Sequence, residues 1–69
     1  MQFQDGLIEQ WRIEVRQLRD WIRVYDAELS RGQFPIPGSE AQLREHKASV
    51  ESFIARLEAL IKMHEANHA

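Results

Sequence analysis

The stretch Trp11–Leu29, WRIEVRQLRDWIRVYDAEL, decides the fold of this chain. Its seam residues follow one another at alternating steps of three and four, beginning with Ile8 just before the stretch: Ile8, Trp11, Val15, Leu18, Ile22, Tyr25 and Leu29. That spacing is typical of a helix that packs along one face against another helix. Leu7 and Trp21 lie beside the seam and widen it. We therefore predict one long helix, from about residue 5 to residue 31.

A second helix is predicted from about residue 39 to residue 66. Ser39 and Gln42 have the spacing of a capping box, in which each side chain bonds a free backbone N–H of the other residue. The alternation of three and four then repeats along this helix, in the seam Leu43, His46, Val50, Phe53, Leu57, Leu60 and His64. Ile54 and Ile61 are expected to flank that seam.

The connecting segment, 32–38, has the composition of a loop that interrupts helical structure. Gly32 follows the last seam residue, where a left-handed backbone residue commonly ends a helix. Pro35 and Pro37 lack an N–H donor and disfavour helical geometry in the residues before them. Two helices joined by so short a loop form an antiparallel pair. The sequence thus predicts a single all-α domain over residues 1–69, an antiparallel, coiled-coil-like two-helix hairpin.

The predicted apolar faces are wider than the seam of a two-helix hairpin requires. A chain of 69 residues buries little of its surface, and without cysteines it has no disulfides to stabilise it. Apolar residues left in water favour association. We therefore expect a partner helix, or a second copy of the chain, to complete a three- or four-helix bundle. The residues expected to contact it are Leu7, Trp11, Leu18, Trp21, Tyr25, Phe53, Ile54, Leu57 and Ile61.

The charge pattern excludes several classes of partner. Nine basic and eleven acidic residues leave a formal charge of −2, which provides no electrostatic footprint for nucleic acid. Four arginines form a row on the first helix, but acidic residues lie among them, which indicates a solvated, salt-bridged face. No apolar run approaches the roughly 20 residues that span a bilayer, and the first residues do not resemble a signal peptide. We expect a cytoplasmic protein that binds neither nucleic acid nor a small-molecule substrate.

Histidines provide the one motif with a chemical precedent. The segment His64–His68, HEANH, matches the H-E-x-x-H signature of zinc metalloproteases, in which two histidines bind the metal and the glutamate acts as general base. A catalytic zinc also needs a third protein ligand and a substrate cleft, and the hairpin predicts neither. We expect no enzymatic activity, no cofactor and at most adventitious metal binding. His46, on the predicted seam, is expected to be buried and neutral.

The first helix resembles helix A of a spectrin repeat. The pattern of that family, an aromatic residue, leucine, tryptophan, an aliphatic residue, an acid and leucine, is matched by Trp11, Leu18, Trp21, Ile22, Asp26 and Leu29. The second helix is similar to helix B, whose leucine, histidine and heptad positions are matched by Leu43, His46, Phe53 and Leu60. The family's aromatic position after the histidine is Ser49 here, and its third helix is absent from this chain. The resemblance implies that Trp21 is central to a bundle and that the chain serves as a spacer or docking module in a scaffold or cytoskeletal protein.

Two functions remain open from the sequence. The first is a non-enzymatic protein–protein interaction or scaffold module, a partial spectrin-like repeat that docks a helix or forms a homodimer. The alternative is a small chaperone whose hairpin masks an amphipathic helix of a secreted subunit, as in type III export. Both functions use the same apolar groove.

Overall fold

The computed structural model describes the backbone of residues 3–68 and the side-chain surroundings of residues 6–67. Helix α1 spans Phe3–Arg31 and helix α2 spans Ser39–His68. The two helices pack side by side as a hairpin whose Cα extents are 53 × 14 × 14 Å. This confirms the predicted all-α hairpin. Helix α1 begins at Phe3, slightly earlier than the predicted start at about residue 5.

The predicted seam of α1 is confirmed as the buried face of that helix. Ile8 and Val15 are buried, and the remaining seam residues are half-buried. Val15 meets Ile54 and Leu57 of α2 in the small core of the hairpin. Five partly buried residues pack against this core: Trp11, Leu18, Ile22, Val50 and Ile61. At about 25 cal/mol per Å² of apolar surface, so small a core leaves the hairpin little stability in reserve.

The predicted seam of α2 is wrong at two of its positions. His46 is exposed, and Phe53 keeps 42% of its surface in water. The residues that face α1 are Leu43, Lys47, Val50, Ile54, Leu57, Ile61 and His64. This set also alternates steps of three and four, so spacing alone favours neither set. Ile54, predicted to flank the seam, is only 8% exposed and lies in its centre.

The loop places one glycine at each helix end. Gly32 has φ 68°, which confirms the left-handed residue predicted after α1. Gly38 has φ 84°, and its carbonyl accepts the first backbone hydrogen bond of α2, from Gln42 at 3.0 Å. The capping-box prediction is therefore wrong, because Gly38 occupies the cap position. The Ser39 hydroxyl instead donates to the Ile36 carbonyl at 2.8 Å, which ties the loop to the start of α2.

Candidate interaction surface

The helical register gives the hairpin two different long sides. The seam residues of each helix form two alternating sets. Four positions after the residues of the first set, Ile8, Val15 and Ile22 of α1 and Lys47, Ile54 and Ile61 of α2, the side chains turn toward one side of the hairpin. Three positions after the residues of the second set, Trp11, Leu18 and Tyr25 of α1 and Leu43, Val50 and Leu57 of α2, they turn toward the other. The first side, the charged side, comprises Arg12, Arg19 and Asp26 of α1 and Glu51, Glu58 and Glu65 of α2. The second side, the aromatic side, comprises Glu14, Trp21 and Glu28 of α1 and His46, Phe53 and Leu60 of α2, and the seam residues Leu18 and Tyr25 adjoin it.

Ion pairs between the two helices close the charged side. Arg19 pairs with Glu58, and Arg12 pairs with Glu65 two turns further along. Both pairs are about half exposed to water, where such a pair contributes between 0 and about 1 kcal/mol. Their main consequence is register, because they fix which levels of α1 and α2 lie opposite each other. Of the four arginines predicted to form a salt-bridged face, Arg12 and Arg19 pair with α2, and Arg23 pairs with Asp20 of its own helix at 2.9 Å.

On the charged side, Lys47 lies beside two acidic residues, Asp26 of α1 and Glu51 of α2. Its ammonium donates to Asp26 Oδ1 at 2.6 Å, and Glu51 lies close enough to add attraction. The hydrogen bond to Asp26 is the main reason that the pKa of Lys47 lies above its ordinary 10.5, and partial desolvation opposes it. The stem of Lys47 lies along the seam while its charge reaches the surface. This lysine therefore takes the seam position that sequence analysis gave to His46.

Replacing Lys47 should change how the stability of the hairpin depends on alkaline pH. The folded-state pKa exceeds the unfolded one, so the stabilisation by Lys47 is complete below 10.5 and is lost as pH rises through the folded pKa. We expect the melting temperature of Lys47→Met to fall less steeply above pH 10.5 than that of the unchanged chain. Lys62→Met, an exposed lysine on the same helix, is the control and should keep the full alkaline fall. Equal pH profiles for the two variants, followed by circular dichroism, would contradict the assigned pair.

The aromatic side is built around a contact between the helices. Trp21 stacks on Tyr25 one turn along α1, with ring centroids 6.1 Å apart and an interplanar angle of 29°. Tyr25 in turn meets His46 of α2 edge to face, at 5.5 Å and 88°. Aromatic pairs in such geometries add about 0.5–1.5 kcal/mol beyond the area that they bury. His46, expected to be buried, thus serves as an exposed member of an aromatic cluster.

Two large apolar side chains on the aromatic side remain in water. Trp21 is 55% exposed and Phe53 is 42% exposed. The register set by the Arg19–Glu58 pair places Trp21 and Phe53 at about the same level of the hairpin, on different helices. An exposed pair of this kind is a typical feature of a surface that binds another protein. Trp21 lies on the flank where apolar surface is expected to stay in water, whereas the exposure of Phe53 differs from its predicted place on the seam.

Charged residues lie toward the two ends of the aromatic side and along its outer edge. Glu14 and Glu28 flank Trp21 two turns away on either side, and Arg56 lies one turn from Phe53. Between them, the neighbouring outward residues are uncharged, as in Gln17 and Ser49. An apolar centre with a polar rim is the usual anatomy of a protein–protein interface. On the charged side, in contrast, Arg12, Arg19 and Lys47 each pair with a carboxylate of the same chain.

Two residues of the histidine motif at the end of α2 contact side chains of α1. His64 is half-buried and meets Trp11 edge to face, with ring centroids 5.2 Å apart. Its ring therefore packs across the open end of the hairpin, and Glu65 pairs with Arg12. The side chain of His68 lies outside the described residues. Among the side chains that are described, no group of three or more metal-binding residues comes together.

The nine residues predicted to contact a partner divide into two groups. Ile54 and Leu57 are buried between the helices, where Trp11, Leu18 and Ile61 also pack against the core. Leu7 and Tyr25 are half-buried, and Trp21 and Phe53 are exposed. The surface open to a partner is thus narrower than predicted and centres on the last two. Helical spacing alone could have placed Leu60 beside them, three residues after the seam residue Leu57.

The comparisons with known proteins provide no family for this chain. No protein family, curated protein or solved structure matches it. Neither helix, over the part that the structure describes, is long and apolar enough to cross a membrane.

Proposed function

We propose that this hairpin is a non-enzymatic protein–protein interaction module that packs its aromatic side against helices of a partner. The exposure of Trp21 and Phe53, side by side on two helices, is the observation that carries the proposal. Large aromatic residues supply much of the free energy of binding at interfaces, particularly where they enter a desolvated centre. The small core supports it too, because added helices bury apolar surface that the hairpin alone leaves in water.

The asymmetry of the two sides selects where the partner helices bind. On the charged side, docking would strip water from ion pairs that are already formed, and desolvating charges is unfavourable. On the aromatic side, docking removes mainly apolar surface from water. The spectrin resemblance agrees with this choice, since it implies that Trp21 is buried by further helical structure. As a cysteine-free scaffold element, the module suits the reducing cytoplasm.

Tryptophan fluorescence tests the proposal, because the chain has only two tryptophans. In Trp11→Phe, Trp21 is the only tryptophan, and its emission should shift to the blue when a helix covers it. The probe is a designed amphipathic helix of about 28 residues with a leucine seam, long enough to cover the hairpin. We expect a saturable blue shift at micromolar peptide.

The matched control is Trp21→Phe, which leaves Trp11 as the only tryptophan. Trp11 already packs against His64 at the open end of the hairpin, so its emission should change little. The titration is run at a chain concentration at which sedimentation shows a monomer. Trp21 emission that then stays constant up to about 100 μM peptide, a range in which even weak helix docking is detectable, would refute the proposed function.

A further inference from the structure

We propose that the aromatic side binds a second copy of this chain, in a two-fold symmetric four-helix bundle whose two loops lie at the same end. This inference rests on the proposed function and specifies the partner. It is carried by three features of the hairpin: the width of the aromatic side, its area, and the position of the charges at its borders.

The width of the aromatic side calls for two helices rather than one. Trp21 projects from α1 and Phe53 projects from α2, so the exposed apolar surface is spread over both helices. A single helix about 10 Å across fills the groove between them and covers each side chain only in part. A second hairpin supplies two helices at the same spacing and the same length. It also brings an aromatic side of its own that needs to be covered.

The area of the aromatic side is sufficient for a stable dimer. One whole face of the hairpin measures 53 by 14 Å between its outer Cα atoms, a size close to the roughly 800 Å² per partner of a specific interface. The centre of that area is uncharged and aromatic. Interfaces of this size and composition are typical of stable association.

The border charges select one of the two symmetric ways in which such faces meet. With both loops at the same end, α1 of one copy lies opposite α2 of the other. Trp21 then faces Phe53 of the copy, and Glu28 faces His46 of the copy. Glu14 lies within a long side chain's reach of Arg56 of the copy. Acidic groups thus meet a histidine or an arginine, which is favourable at an interface rim.

The reversed arrangement brings like charges together. With the loops at opposite ends and Trp21 at the centre, α1 lies against α1 of the copy. Glu14 and Glu28 lie seven residues on either side of Trp21. Glu14 of each copy therefore faces Glu28 of the other, whose charge is offset only in part by its surface pair with Arg31. Two such contacts form by symmetry, and like charges in contact suppress the pairing. The geometry therefore points to the arrangement with both loops together.

Spin-label distances test the arrangement directly, because the chain contains no cysteine that would need to be removed. Gln33→Cys places a label in the exposed loop, and Gln10→Cys places one near the other end of α1. In the proposed dimer each label lies at the same end as its counterpart, diagonally across a bundle whose neighbouring helices are about 10 Å apart, so double electron–electron resonance should give about 15–30 Å at each site. The reversed dimer, with Trp21 at its centre, separates each pair by about 35 Å along the helix axis.

Sedimentation of the unchanged chain completes the test, together with the peptide titration of Trp11→Phe. A dimer at tens of micromolar with short distances at both sites supports the inference. A dimer with long distances would overturn the arrangement. A chain that stays monomeric at about 100 μM, well above the dissociation constants of stable dimers, would exclude the second copy. If Trp21 still responded to the amphipathic peptide in that case, the proposed function would stand without self-association.

Discussion

Ile54→Ala should unfold most of the hairpin, whereas Phe53→Ala should leave the isolated hairpin nearly as stable as before. Ile54 is 8% exposed and contacts Val15 and Leu57 in the core, so truncating it removes buried methyl groups and leaves a cavity. Such a substitution typically costs about 2–5 kcal/mol. A small domain has a total stability of only several kcal/mol. The expected loss is therefore comparable with the whole free energy of unfolding.

Phe53→Ala is the matched control for Ile54→Ala, because Phe53 is the adjacent residue on the same helix. It keeps 42% of its surface in water within the hairpin, so truncation removes less burial, and alanine favours a helix more than phenylalanine does. Urea denaturation followed by circular dichroism at low micromolar concentration measures both variants where association is weak. A larger loss for Phe53→Ala than for Ile54→Ala would mean that α2 is rotated. The seam would then run through His46 and Phe53, as the spacing first suggested.

The same two residues show how far the sequence determines the fold. The seam of α1 is predictable because only one set of its residues combines apolar character with helical spacing. In α2 two sets do so, one through His46 and Phe53 and the other through Lys47 and Ile54. The sets differ at three positions, and apolar character separates them only through His46 against Lys47. The second prevails because the stem of Lys47 lies along the seam while its ammonium bonds Asp26, a contact between helices that spacing does not reveal.

The ends of the helices are also predictable only in part from the sequence. Gly32 is predictable as a left-handed end because few other residues tolerate that backbone conformation. Ser39 and Gln42 match a capping box in sequence, but Gly38 just before them takes the cap position with its own positive φ. The capping-box motif correctly marks where α2 begins, but the hydrogen bonds at that end are not those of a capping box. The loop geometry that decides between these outcomes involves Ile36, outside the motif.

Trp21 shows how far the sequence predicts the interaction surface. Its position beside the seam is apparent from spacing, and the spectrin resemblance implies that it is buried. In this hairpin it is 55% exposed, since no third helix lies against it. The contact with Tyr25 orients its ring along the aromatic side but does not cover it. A residue expected to stabilise the fold is therefore better placed to stabilise an assembly.

Trp21→Ala should consequently abolish association while leaving the helical content of the dilute monomer intact. Removing a tryptophan from the centre of an interface costs about 2 kcal/mol or more, which weakens binding at least about 30-fold. The monomer loses only the stacking on Tyr25, and alanine raises the intrinsic helix propensity at this position. Sedimentation measures the association, and thermal melts of the dilute chain measure the hairpin.

Ile13→Ala is the matched control for Trp21→Ala. Ile13 is also a large apolar residue of α1, 41% exposed, but it lies away from both the seam and the aromatic side. Its truncation should change the dissociation constant less than threefold, as is usual for surface positions outside an interface. Equal weakening by both variants would show that association is non-specific and not centred on the aromatic side. Loss of helix in dilute Trp21→Ala would show instead that Trp21 belongs to the core of the monomer, because an exposed stacking contact is too weak to have that effect.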